Sequence, residues 1–561
     1  MDVRVGARRR YPKILITICL MVAVALVAAM ATVAAAKPQA GPEVAAAGVG
    51  TKAALDSPNC GPDGLLAYPY QQRAPCTRPL KNGESNGGAT TMGVSTDAIK
   101  IILFVNTHEA QAAAWSQIGQ TPPKDQATGQ NAYTEDAYRD WNAVFAHSFN
   151  TWGRKVEFET VTPSGPDEAA QHADALTVAA KKPFGVIVQA TTGQVFAADL
   201  VAKKILVFFT GVTNEEAAKQ APYRWLFGPD SNAAAVNGAQ FAARQLMGET
   251  AKWSGDFTGK KRVFGAVHPE RGIDWKFFQD TAKQEGLKLA PGTDLVYSVP
   301  LDSTEAMQVE QAEAPNLVAK LKDAGVTTVL LYTTYNVTGY LFKAAESLDY
   351  HPEWVFAGYQ VSDLEITARF NNSSYPTQMK HVFGIGTLPP YVAGLEDPQV
   401  GWFHWYWGPN TGVYSFTPVA PLYTLYAGVM LAGPKLTPAL FQQGLFAMPA
   451  HGGAASKQVQ SYMFGYGRTS GLPYDEYSVV GLDYAVMWWS PTDTGKGKLV
   501  LDDGTGRFRY IDGAKRYYAG QWKKGEPKLF DTSNSIAQFD SLPQSDVVPD
   551  YPCNNCPSTK S

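Results

Sequence analysis

The chain has 561 residues, with 48 Lys and Arg against 51 Asp and Glu, a formal charge of −3 and 45% hydrophobic residues. That length builds two or three sizeable cores, which excludes a small scaffold held together by disulfides alone. No basic run or aromatic-basic stripe follows the first residues, so nucleic acid is not an expected partner.

Arg8, Arg9, Arg10 and Lys13 precede an uncharged apolar stretch over residues 14–36, and Ala34-Ala-Ala36 before Lys37-Pro38 offers a small-residue cleavage site. Residues 1–36 therefore read as an export signal. The stretch also reaches the ~20 residues that span a bilayer, so an uncleaved membrane anchor is the alternative. Cys19 follows Ile18, where a lipid-attachment site needs a small residue, and reads as an ordinary apolar signal residue. Arg8-Arg9 is only a weak match to a twin-arginine signal. Cleavage removes five basic side chains and Asp2, leaving 43 basic against 50 acidic residues in the exported chain.

Residues 37–92 are rich in Ala, Gly, Pro and Asn and read as a linker or arm. Cys60 and Cys76 lie within it, and Cys553 and Cys556 close the tail. Four cysteines allow three pairings; we favour Cys60 with Cys76 and Cys553 with Cys556, each a local staple in a region with little core of its own. A redox role for Cys553-Asn-Asn-Cys556 lacks the helix start that lowers a thiol pKa. No His or Cys completes a metal-ligand spacing nearby, so no metal is expected.

The body opens at Gly93 with an apolar strand to Val105, then a long loop and a helix over 134–152 with Tyr138, Trp141, Phe145 and Phe149 at helical spacing. Strand 155–161, helix 167–181, strand 184–188, helix 194–203 and strand 205–209 alternate after it. This rhythm predicts a parallel sheet covered by helices. The runs at 184–188 and 205–209 are continuous Val, Ile and Phe, as in strands buried on both faces, and each stops at hydroxyls, Thr191-Thr192 and Thr210. Ligands of such sheets sit beyond the strand carboxyl ends, where these threonines are; the alternative is that they only end strands and open helices.

A second unit of the same rhythm follows residue 228, with helices at 232–247, 272–285, 314–324 and 337–348 and strands at 262–267, 294–299, 327–332 and 354–357. Two successive units predict two lobes. Helices are expected at 420–431 and 438–446, a helical segment at 475–489, and hairpins from 499 to 531, punctuated by Gly504, Gly506 and Gly513.

No catalytic constellation is legible, so an enzyme is not expected. G-x-S-x-G, H-E-x-x-H and S-x-x-K with its partners are absent, and Gly255-Asp-Phe-Thr-Gly259-Lys260 is too short for a phosphate loop. A secreted hydrolase with a triad assembled in space remains an alternative function.

The export signal, the opening Gly93-Val-Ser-Thr-Asp-Ala-Ile-Lys-Ile, the segment from Lys261 to Gly272, and the helix, Ala-Gly turn and strand of 317–331 together resemble the branched-chain amino-acid-binding family of ABC-importer solute-binding proteins, of type I periplasmic-binding fold. The resemblance spans roughly residues 93–530 and rests on the order of weak motifs. It implies an α/β fold of two lobes, each a mostly parallel sheet flanked by helices. The implied division is 93–228 in lobe 1, 229–357 in lobe 2, 358–490 back in lobe 1, 491–545 a hairpin region on lobe 2, and 546–561 a tail. Hinge crossovers then fall near Gly228, near Ala357 and before Pro491.

The resemblance also implies the function: a monomer that captures a small organic ligand between its lobes, without a cofactor, and delivers it to an ABC permease in the membrane. A membrane-anchored receptor ectodomain is the alternative. The ligand carboxylate would meet Thr191, Thr192 and Thr210, with Trp115 above it; Tyr332, Tyr335 and Tyr359 would face it from lobe 2. The family places a carboxylate in the crossover after Tyr359 to receive a ligand ammonium. Here the acids, Asp363 and Glu365, come late, so a ligand without an amino group stays open. The run Gly401-Trp-Phe-His-Trp-Tyr-Trp-Gly408 is either a further aromatic wall or a packed helix start.

Overall fold

The computed structural model describes residues 44–539, apart from short segments at 71, 118–120, 126–128, 300–302, 361, 393–397, 409–410, 413–414, 416, 450–464, 468–471, 479–482 and 496–503. The export signal and the pair Cys553 and Cys556 lie outside the described residues.

Five parallel strands form the first sheet: β1 (Ala98–Phe104), β2 (Lys155–Val161), β3 (Gly185–Val188), β4 (Leu206–Phe208) and β5 (Arg224–Trp225), in the order β2-β1-β3-β4-β5. Alternate residues serve its two faces. Ile101, Leu103, Ile187, Leu206 and Phe208 pack with Trp141 and Phe145 of the helix Thr134–Ser148 and with Leu422, Tyr426 and Phe441 of the returning helices. Ile102, Phe104, Val186, Val188 and Val207 pack with Ala175, Val178, Phe196 and Leu200 on the other side. Burial on both faces is why these strands read as unbroken apolar runs.

The second sheet repeats the order with β6 (Phe264–Pro269), β7 (Leu289–Tyr297), β8 (Thr328–Leu331), β9 (Glu353–Ala357) and β10 (Val382–Gly386), arranged β7-β6-β8-β9-β10 and parallel throughout. It is then extended by antiparallel β11 (Tyr484–Gly495) and β12 (Gly504–Ile511) and by the edge pair Ser535–Ile536. The architecture is therefore α/β in two lobes, each built on a mostly parallel sheet between helices.

Three sequence readings give way here. β10 pairs with β9 in register Val382 to Trp354 through Ile385 to Ala357, so the chain stays in lobe 2 past Ala357 and crosses only after Gly386. The segment expected to be helical at 475–489 runs into β11, which starts at Tyr484; residues Tyr484 to Ser490 of that strand are all buried, and a run buried on both faces has no period to tell strand from helix. Finally, the arm is part of lobe 1. Tyr68 and Tyr70 stack on Trp402 at ring separations of 4.2 and 5.6 Å, and the Cys60–Cys76 disulfide closes the loop that carries them. Trp402 and Phe403 thus belong to the core of lobe 1, which makes the aromatic run of 401–408 a packed helix, Pro398–Trp407. Among the described residues, no helix is long and apolar enough to cross a membrane.

Candidate functional site

In a sheet ordered 2-1-3-4-5, the connections after the first and third strands leave on opposite faces and open a crevice between them. In lobe 1 that crevice is bridged by Asn106, whose Nδ2 donates to Thr191 Oγ1 at 3.2 Å while its Oδ1 accepts from the Thr191 amide at 3.0 Å. Thr192 follows, and then Gly193 begins the helix Gln194–Ala202 with no side-chain cap, leaving its first amides open. Next to it, the Thr210 carbonyl accepts from Gln194 Nε2 at 3.0 Å and from an Arg224 Nη2 at 3.1 Å. The hydroxyls of Thr192 and Thr210 are half-buried and make no hydrogen bond among the described residues.

Arg224, like Asn106, is a residue the sequence reading missed. Its side chain is buried, lies over the Phe209 ring at 5.4 Å and donates to Gln194 Oε1 at 2.7 Å, while its Nε has no acceptor. Among the described residues no carboxylate forms an ion pair with it. Burial lowers the guanidinium pKa to about 9, which keeps it charged at neutral pH. The end of lobe 1 thus combines free hydroxyls, an open helix start and a buried cation whose only carboxylate influence among the described residues is the more distant Glu216, features that favour an anion. The signal was legible as a lone arginine in the aromatic run Tyr223-Arg-Trp-Leu-Phe227.

Lobe 2 presents its strand ends to the same place. Gly272, after β6, has φ +76°, and a Cβ added there would lie 3.6 Å from the Gly211 carbonyl oxygen of lobe 1 and 3.9 Å from Tyr359 Oη. Tyr359 therefore stands where the lobes meet, beside the Thr210-Gly211 turn. It is held on both sides: Gly358 has φ +73°, with no room for a Cβ against the Tyr484 ring, and Gln360 is left-handed at φ +52° with its Nε2 donating to Tyr359 Oη at 3.3 Å. Tyr335, 47% exposed, opens the helix Tyr335–Ser347.

The remaining candidates sit elsewhere. Tyr332 has no exposed surface; its ring packs edge-on against Trp275 and Phe278 at 4.9 and 5.7 Å, and its hydroxyl occupies the space that Gly238 leaves. It locks the helix Ser231–Phe241 to the sheet instead of facing the cleft. Asp363 is equally internal: its carboxylate accepts from the Leu388 amide at 2.6 Å and the Thr387 hydroxyl at 3.5 Å, and burial pushes its pKa up to about 6. It ties the loop after β9 to the end of β10. Trp115 is half-buried on a helix, His108–Gln117, where a loop was expected.

Two of the connecting segments are paired. The Leu226 amide donates to the Tyr477 carbonyl at 2.9 Å, Ser478 Oγ donates to the Gly228 carbonyl, and the Tyr477 amide donates to Asn214 Oδ1 at 2.7 Å. Just beyond, Tyr474 Oη donates to Asp230 Oδ2 at 2.6 Å, and Asp230 caps the helix Ser231–Phe241 through the amides of Asn232 and Ala233. Burial raises the Asp230 pKa. Crossings held side by side like this can flex together without breaking either lobe. Among the described residues, no group of three His, Cys, Asp or Glu side chains is placed to hold a metal ion.

No family model matches the chain, and no curated protein matches it in sequence. Solved structures do. The chain is similar to a periplasmic binding protein from Burkholderia mallei, at 11% identity and a TM-score of 0.46, over 77% of this chain and 97% of that one. It is similar to the leucine-, isoleucine-, valine-, threonine- and alanine-binding protein from Brucella ovis in its closed conformation, at 14% identity and 0.45, over 77% and 100%. A fatty acid ABC transporter substrate-binding protein from Thermomonospora curvata matches at 12% identity and 0.44, over 83% and 98%.

Proposed function

We propose that this chain is an exported solute-binding protein that captures a small organic ligand between its lobes and delivers it to an ABC import permease. The reading is carried by one observation. The Gly211 turn, which follows Thr210 and its free hydroxyl, lies against Gly272 of the other lobe, and Gly272 lies against Tyr359, so the open end of lobe 1 faces the tyrosine side of lobe 2. A ligand carboxylate received there gains donors from lobe 1, and only the closed arrangement adds contacts from lobe 2. Closure follows from that difference: moving the lobes from 1:99 to 99:1 closed needs ~5.5 kcal/mol of differential binding, within the roughly 8 kcal/mol of a micromolar ligand. The protein performs no chemistry on the ligand in this reading; the paired crossings supply the hinge, and the closed face docks on the permease.

A thermal-shift screen of the exported chain against amino acids, aromatic and aliphatic acids, amides, polyamines and sugars tests it. Ligand at 100 times its dissociation constant should stabilise the chain by ~2.7 kcal/mol. A flat response to every class overturns the reading.

A further inference from the structure

The aromatic run of 401–408 has two halves. Trp402 and Phe403 are core residues of lobe 1, whereas Trp405 and Tyr406 are half-buried and Trp407, at the end of the helix Pro398–Trp407, is 42% exposed. The outer rings are held in place. The His147 ring lies 5.3 Å from both Trp405 and Tyr406, and Trp407 Nε1 donates to the Asp140 carbonyl at 3.3 Å. Tyr406 and Trp407 stand 4.9 Å apart with their planes at 89°. Two rings at right angles make an apolar corner, and Trp407 leaves it open to solvent.

The chain's own carboxyl-terminal tail leaves lobe 2 in the direction of this corner. Tyr391–Val392, on the way from lobe 2 to the helix Pro398–Trp407, pairs in parallel with Gln538–Phe539, Tyr391 opposite Gln538 and Val392 opposite Phe539. The pair is fixed on lobe 2, where Arg507 Nη1 donates to Gln538 Oε1 at 3.2 Å and Phe539 packs against the core. Parallel segments run the same way. The chain beyond Phe539 therefore sets out beside the crossing and toward lobe 1.

Length and composition agree with that destination. From Val392 to Pro398 the crossing spans at most about 21 Å, and the helix adds about 14 Å to Trp407. Residues 540–561 carry Pro543, Pro549, Pro552 and Pro557, with Tyr551 between the middle two. A polyproline chain rises about 3.1 Å per residue, which puts Pro549 and Pro552 about 31 and 40 Å beyond Phe539, on either side of that path length. Proline-rich segments dock on aromatic-lined surfaces because their extended helix is preformed and loses little freedom on binding.

We propose that the tail docks through Pro549, Tyr551 and Pro552 on the corner formed by Tyr406 and Trp407, so that it straps lobe 2 to lobe 1 beside the crossing that follows Gly386. The strap does not depend on what the cleft binds.

Hydroxyl-radical footprinting of the exported chain, read by mass spectrometry, tests it from both sides. Pro549→Ser combined with Pro552→Ser should raise the oxidation of Trp407 severalfold and leave that of Phe370, 41% exposed on lobe 2, unchanged. Trp407→Ala should in turn raise the oxidation of Tyr551 severalfold. Protection in the unsubstituted chain should stay constant on dilution, as docking within one chain requires. Equal Trp407 oxidation with and without the two prolines overturns the proposal, and so does Tyr551 oxidation that ignores Trp407→Ala. Protection that fades on dilution also overturns it, and gives the corner to the tail of a second copy.

Discussion

Lobe 1 and lobe 2 use one strand order, 2-1-3-4-5, and end their strands in opposite chemistry. Lobe 1 offers threonine hydroxyls, an uncapped helix start and a buried arginine; lobe 2 offers tyrosines. A shared frame with unlike strand ends places the chemical difference between the lobes in the loops, not in the sheets. Within lobe 2 the tyrosines divide as well: Tyr332 and Tyr335 stand three residues apart, one buried and the other exposed.

The largest effect expected is on that last contrast. Tyr332→Ala empties a site packed by Trp275 and Phe278 and should cost about 3–5 kcal/mol of stability, while Tyr335→Ala should stay within about 0.5 kcal/mol. Urea unfolding of both variants measures the difference; equal losses would erase the division.

Next comes the pH dependence of lobe 2. Asp363 titrates near 6 in the folded chain and near 3.8 unfolded, so the folded state holds the proton more tightly. Stability is then highest below the unfolded value and falls as pH rises through the window from 4 to 6, by about 3 kcal/mol from this group. Asp363→Asn should flatten its share of that fall. Denaturant midpoints across the window read it out, and an unchanged slope would mean that Asp363 is not the group responsible.

Breaking Cys60–Cys76 should cost lobe 1 a comparable amount, up to about 3 kcal/mol for a loop of this size, because the staple closes the arm that carries Tyr68 and Tyr70. Ligand affinity should be unchanged on reduction, since the arm packs on Trp402 and not at the strand ends. Loss of binding would place the arm in the site. The smallest effects belong to the lobe 1 hydroxyls. Thr192→Ala and Thr210→Ala should each cost about 1–3 kcal/mol of ligand affinity with the thermal midpoint of the free chain unmoved.

Most of this frame is visible in the residues. The runs at 184–188 and 205–209, with their threonine stops, locate β3 and β4 and the crevice end of lobe 1 because a doubly buried strand must be apolar throughout. The same property hides β11, whose Tyr484 to Ser490 carry no alternation to read. The site was legible only where it lies next to its own strand. Asn106 follows β1 by two residues, at a strand end like Thr191, yet the sequence reading did not name it. Arg224 stands out in the sequence only as a lone arginine among aromatics, and its burial against Gln194 and the Thr210 carbonyl appears only in the fold. Asp363 misled because position in the chain says nothing of the Leu388 amide that holds it.

The central claim is that one ligand is held by both lobes at once. Small-angle X-ray scattering of the exported chain, with and without a ligand found in the thermal-shift screen, tests it most directly. The account predicts a smaller radius of gyration with ligand, and the same contraction at higher ligand concentration in Thr210→Ala. A radius unchanged at saturating ligand would contradict capture by closure.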